Sequence, residues 1–308
     1  MPMSPVATPT LLPATPGSYG EPPAGYRLPD AVQLGAVHLQ VAQLDRALAF
    51  YQQVLGLRVV ERAASRATLA AHGGDEILVV LQEHPGARPV RRGTLGLYHY
   101  AILLPSRAAL GRFLRHAAAL GVRVGAGDHL VSEALYLADP DGLGIEVYAD
   151  RPRSHWHRVG RALQMATDPV DVDGLLAEVG DAPWEGMPAG TRMGHVHLHV
   201  GSLPEAERFY HTALGLDVMT RDYPGALFLG AGGYHHHVGT NTWAGAGAQP
   251  AAEGDARLLA WTLTVPSAEA LRAAAQQLAA CGVPAEPSVD GALMVRDPWG
   301  TAVRVVAV

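Results

Sequence analysis

The sequence predicts an α+β fold made of four copies of one unit, each a strand, a helix and then further strands. Three observations carry that expectation. "LGAVHLQVAQLDRALAFYQQVLGLRVV" from Leu34 and "MGHVHLHVGSLPEAERFYHTALGLDVM" from Met193 follow one plan. "LYHYAILLPSRAALGRFLRHAAALGV" from Leu97 and "LLAWTLTVPSAEALRAAAQQLAACGV" from Leu258 follow the same plan again. The latter two run into "LADPDGLGIEVYAD" and "VRDPWGTAVRVVAV", each an Asp-Pro turn before an apolar strand.

Each element has a local cause. The opening stretches alternate apolar and polar residues, as a half-buried strand requires. The next stretches place apolar residues at helical spacing and stop at a Leu-Gly pair. Units of about 55 residues recur in this way from residue 31 onward. The segments read as module one at 31–94, module two at 95–150, module three at 191–247 and module four at 257–308, with a linker at 151–190. Residues 1–30, rich in proline and glycine, read as a flexible arm.

Composition narrows the function. The 308 residues carry a formal charge of −6, with 48% hydrophobic and 17% charged residues. That balance argues against nucleic acid or an anionic membrane as the main partner. The lone Cys281 excludes an internal disulfide framework and a thiolate metal cage, which fits a cytoplasmic location. No apolar run approaches the roughly 20 residues of a membrane span, and the start lacks the basic and apolar regions of a signal peptide. Against so few charges, 15 histidines stand out.

The repeated "FY…LG" helices and the "DPDG" before a last strand resemble the vicinal oxygen chelate superfamily, from about residue 30 to the end. That superfamily includes glyoxalase I, bleomycin-resistance proteins and extradiol ring-cleaving dioxygenases. "GLYHYAILLP", "DHLVSEALYLADPDGLGIEVYADRP", "GHVHLHV" and "GGYHHHVGTNTWAG" are similar to the bacterial catechol 2,3-dioxygenase branch in particular. The resemblance implies four βαβββ modules forming two domains. In each domain a curled sheet wraps a cavity, and metal ligands come from first and last strands.

Carrying the ligand positions over gives a lopsided set. The third module supplies His195 and the second supplies His99, six residues before Pro105, and Glu146, six after Pro140. The equivalent positions elsewhere hold Ala36, Ala260 and Arg304. Two imidazoles and one carboxylate with open positions suit a non-heme Fe(II) oxygenase, with Mn(II) as the alternative. This set assembles only if modules two and three pair and modules one and four pair, a permuted arrangement. Under sequential pairing the third ligand would instead be His38. The segment of about forty residues between Asp150 and Arg192 is long for a loop and suits a crossing between domains.

The same resemblance implies an acid–base histidine in "GGYHHHVG". It favours His236, with His235 or His237 as a neighbour touching substrate, and leaves the choice among the three open. Tyr136, four before Pro140, matches a tyrosine that contacts the ring hydroxyl or oxygen, and His129 matches a further pocket histidine more loosely. His197 shares a strand face with His195, and Trp243 could stack on a planar ligand, as could Trp156 and Trp184. His155 and His157 read as linker residues. The activity implied is cleavage of a catechol-type diol with dioxygen. The alternatives are a glyoxalase-like isomerase or lyase and a metal-free binding protein of the bleomycin-resistance kind. Proteins of this superfamily often associate, which leaves oligomeric state open.

Overall fold

The computed structural model describes residues 10–180 and 182–308. Two sheets dominate it. In the larger, the strand Arg192–His199 pairs antiparallel with Thr94–Leu103, setting His197 opposite His99. From that seam the order runs outward through Val238–Asn241, Ala226–Gly230 and Asp217–Thr220 on one side. On the other side lie Gly144–Asp150, Ser132–Ala138 and Gly125–Asp128. The sheet thus joins the second and third repeats.

The smaller sheet joins the first repeat to the fourth. Its seam is Gln33–Val41 against Arg257–Val265, with Ala260 opposite His38. The outer strands are Ile77–Glu83, Arg66–Ala70 and Arg58–Arg62 on one side and Ala302–Ala307, Leu293–Arg296 and Ala285–Pro287 on the other. His38 therefore lies in a different sheet from His99 and Glu146 and does not join them.

Four helices close the outer faces, and their starts follow from sequence. Ser106 and Ser267 cap Arg107–Ala119 and Ala268–Ala280 by accepting from the Ala109 and Ala270 amides, a contribution of about 1 kcal/mol each. Ser202 does the same for Leu203–Ala206, which continues as a π-helix over Glu207–Ala213. Leu44–Gln53 is the fourth and has no side-chain cap. Val196, Leu198 and Val200 pack in the core with Phe209 and Tyr210, as the strand alternation requires.

The Asp-Pro turns do structural work that alternation does not reveal. Asp139 Oδ1 accepts from the Asp141 and Leu143 amides, and Asp297 Oδ1 from those of Trp299 and Thr301. Their other oxygens accept from the helix tyrosines, Tyr51 to Asp139 at 3.3 Å and Tyr210 to Asp297 at 2.9 Å. Each bond runs from one sheet's helix to a turn of the other sheet. One continuous core therefore serves both domains.

Residues 10–30, expected to hang free, are laid along the protein. Leu12 and Pro13 pair with Arg158 and His157. Tyr19 donates to the Gly233 carbonyl, and Arg27 holds Asp217 through two bonds of 2.7 and 2.6 Å. The first nine residues of that arm lie outside the described residues. The long segment after Asp150 does cross the molecule. Its helix Val172–Ala177 lies on Arg107–Ala119, Trp184 stacks on His116, and Met187 bonds to Gly56 and His72 in the first repeat. Among the described residues, no helix is long and apolar enough to cross a membrane.

Candidate metal centre

His195 and His99 lie on the two antiparallel seam strands of the larger sheet, and Glu146 lies on the strand parallel to Thr94–Leu103. Both seam irregularities fall at this place. Gly194 is an extra residue between the pairs Met193–Ile102 and His195–Ala101, and Tyr98 is extra between Leu97 and His99. Bulges of this kind re-aim side chains. Here the second lets Tyr98 and His99, adjacent in sequence, line the same cavity. Gly194 is required by contact, since a Cβ there would lie 1.8 Å from the Tyr148 hydroxyl oxygen.

Three donor atoms converge. Glu146 Oε2 is 2.9 Å from His99 Nε2 and 3.3 Å from His195 Nε2, and all three residues are buried. Two donors each about 2.1 Å from one ion at a right angle lie about 3 Å apart, so the spacing fits a shared cation. His99 Nε2 is a buried nitrogen without an aligned hydrogen bond, as suits an atom whose lone pair has another use. Burial pushes the His195 imidazole down to about 4 despite Glu146 beside it, which leaves it neutral and able to ligate at neutral pH. Burial opposes the charge on Glu146; protonated imidazoles beside it would outweigh that and hold the carboxyl well below its usual range, a counter-charge that a bound cation supplies in their place. Among the described residues, this is the only such cluster of histidine, cysteine and carboxylate donors.

The cluster forms one wall of a cavity of about 140 Å³. Tyr136 faces Glu146 across adjacent strands. Its hydroxyl donates to His129 Nε2 at 2.5 Å, and His129 Nδ1 donates to the Ala166 carbonyl at 2.7 Å. That pair of bonds fixes the His129 tautomer. A turn in which the Asp128 carboxylate accepts from the Leu130 amide sets the ring, with Leu130 at φ +68. Burial, and then the Glu146 charge, raise Tyr136 well above the usual phenol range, so its hydroxyl keeps its proton. His236 and His197 also line the space, both buried, and both are held neutral chiefly by burial. His197 Nε2 has no hydrogen-bond partner. Trp243 stands at the rim against Tyr98 and His197.

Other expected site residues lie elsewhere. His235 is fully buried beneath the cavity, bonded to Asp150 and His236, and does not line it. His237 opens onto a separate cleft with Arg153 and Arg192, and its Nδ1 accepts from the Ala231 amide. The expectation that these two touch substrate is therefore corrected. The three histidines precede the strand Val238–Asn241, so strand alternation does not govern them. Trp156 is buried against His235, Trp184 lies in the crossing segment against His116, and His155 and His157 are exposed.

Sequence reasoning missed Tyr98, Tyr223, Phe228 and the stretch Met165, Ala166 and Thr167, which complete the lining. Tyr98 stood next to an expected ligand and Phe228 in an apolar strand. Residues 165–167 gave no periodic signal at all. They reach the cavity because Asp168 bridges to Asp128 and Thr167 bonds to the Tyr223 hydroxyl at 2.6 Å.

Comparison with known proteins agrees with this architecture. A Bacillus subtilis (strain 168) protein named catechol-2,3-dioxygenase is 44% identical over 269 residues, covering 86% of this chain and 93% of that one. A solved structure from Bacillus subtilis subsp. subtilis str. 168 superposes with a TM-score of 0.65 at 14% identity, covering 92% of this chain and 86% of that chain. Glyoxalase I from Zea mays does so at 0.55 and 17%, covering 89% and 92%. These two show the shared fold. The model of the Glyoxalase/Bleomycin resistance protein/Dioxygenase superfamily matches residues 33–147 and 192–305, one match in each half of the chain. With that match and the curated relative together, the chain belongs to this superfamily.

Proposed function

We propose that this chain is an extradiol dioxygenase that opens the ring of a small catechol, using Fe(II) held by His99, His195 and Glu146. The observation that carries the reading is the buried convergence of two imidazoles and one carboxylate on a cavity of ring size. The relative named catechol-2,3-dioxygenase supports it independently. Two imidazole nitrogens and a single carboxylate leave open positions on a metal, which suits iron, with Mn(II) as the alternative. A glyoxalase-like chemistry finds no second carboxylate in the cluster.

The chemistry adds both atoms of dioxygen to the diol and breaks one ring carbon–carbon bond beside a hydroxyl-bearing carbon. When bound, the metal supplies charge that favours the deprotonated diol, and a redox centre for dioxygen. The protein supplies the rest. His236, neutral and at the cavity wall, is placed to take a diol proton and return it later. Tyr136, whose proton points at His129, presents its oxygen lone pairs to a substrate hydroxyl. Tyr98, Phe228 and Trp243 offer ring faces and edges to the substrate. Met165 and Ala166 add apolar surface to the lining.

The lining holds no lysine or arginine. The substrate class that fits is an uncharged, single-ring catechol, unsubstituted or with a small alkyl group, in a cytoplasmic catabolic setting. The test is turnover under ¹⁸O₂ after anaerobic loading with Fe(II). Catechol should gain two labelled oxygens in a ring-opened product, and a carboxylated catechol should be a poor substrate. Absence of any labelled product from a chain with one iron bound would overturn the proposal.

A further inference from the structure

We infer that His235 and Asp150 are positioning residues that fix which nitrogen of His236 carries its proton; the catalytic consequence rests on the dioxygenase reading above. The structural basis is a chain of bonds beneath the cavity. Asp150 Oδ1 lies 2.9 Å from His235 Nε2, and His235 Nδ1 lies 2.8 Å from His236 Nδ1. A carboxylate only accepts, so the His235 proton sits on Nε2. A His235 ring with a single N–H, placed on Nε2 by Asp150, accepts at Nδ1, where its only partner is the Nδ1–H of His236. The nitrogen of His236 left without a proton is Nε2, on a ring that lines the cavity.

The surroundings defend this arrangement. His235 is fully buried, held between Trp156 and the rings of Tyr148 and Tyr234. The Tyr234 hydroxyl also donates to Asp150 Oδ1 at 3.2 Å, and the hydroxyls of Tyr148 and Tyr234 lie 2.5 Å apart. Asp150 thus receives two donors and is fixed as the acceptor end. The logic is that of a carboxylate orienting an acid–base histidine, with a second imidazole inserted between them. Without it, His236 could carry its proton on Nε2 and would then have no lone pair for a substrate proton.

Two readouts test this. Selective ¹⁵N-histidine labelling of the metal-free full-length chain reports each tautomer directly, with His236 identified from the His236→Gln spectrum. His236 should be protonated on Nδ1 and His235 on Nε2. His235→Leu and Asp150→Ala should move His236 toward the other tautomer, while His235→Asn, which keeps an acceptor near the Nδ1 position, should restore it. In the iron-loaded enzyme, His235→Leu should lower kcat at least about tenfold with KM within twofold, and His235→Asn should recover most of the loss. A His236 protonated on Nε2 in the unaltered chain would overturn the inference, as would an unchanged tautomer in Asp150→Ala, or full kcat in a folded His235→Leu. If His235→Leu fails to fold, the Asp150→Ala spectrum decides alone. The expected tautomers in a chain that never turns over catechol would keep the positioning role and sink the dioxygenase reading.

Discussion

Replacing Glu146 with glutamine removes one negative charge from the cluster while nearly preserving volume. The carboxylate is buried at 2% exposure, with both histidine nitrogens within 3.3 Å. No other carboxylate belongs to the cluster, so none can substitute for it. Taking away one partner of a buried charge pair typically costs about 3–5 kcal/mol. At 1.4 kcal/mol per tenfold, that is a metal affinity weaker by roughly a hundredfold to a few thousandfold. The fold should survive, because the amide also removes the cost of burying a charge. The assay is titration of the metal-free variant with Fe(II) or Mn(II) under anaerobic conditions, with circular dichroism melts alongside. An affinity within threefold of the unaltered protein would refute the assignment of Glu146 as a ligand.

Three further outcomes are expected. His236→Ala should retain its metal and lose turnover by about a hundredfold or more; loss of metal in elemental analysis would make His236 a ligand instead. Burial raises the Asp139 carboxyl to about 6, so this residue favours folding below its unfolded value near 3.8 and loses that contribution as pH rises through 6. Asp139→Asn should therefore gain stability relative to the unaltered chain between pH 4 and 7, by up to about 3 kcal/mol in urea unfolding; a flat difference would contradict this. Residues 1–152 and 190–308 expressed separately should each be poorly folded, because each cuts both seams between the sheets' halves. Metal binding should appear only on co-expression, and a well-folded metal-loaded first half would count against the site.

Much of this was legible because it is local. Leu-Gly stops and Asp-Pro turns announce themselves within a few residues, so the repeat could be read directly. The positions of His99, His195 and Glu146 followed from the family resemblance carried over on the repeat frame, and the strand face of His197 from alternation. What escaped depends on contacts distant in sequence or on departures from ideal geometry. The bulge that turns Tyr98 toward the cavity breaks the alternation rule. The directions of His235 and His237 are set by a loop rather than a strand. Residues 165–167 line the site only because the chain folds back on Asp128, and residues 10–30 are held by partners about two hundred positions away, such as Asp217.

The central claim is that a single metal sits among His99, His195 and Glu146. Anomalous diffraction across the iron edge, on crystals of the anaerobically loaded protein, tests it most directly. One peak is expected within bonding distance of His99 Nε2, His195 Nε2 and a Glu146 oxygen, about 2.0–2.2 Å from each. A peak at His38 or in the smaller sheet, or none in protein that turns over catechol, would contradict the account.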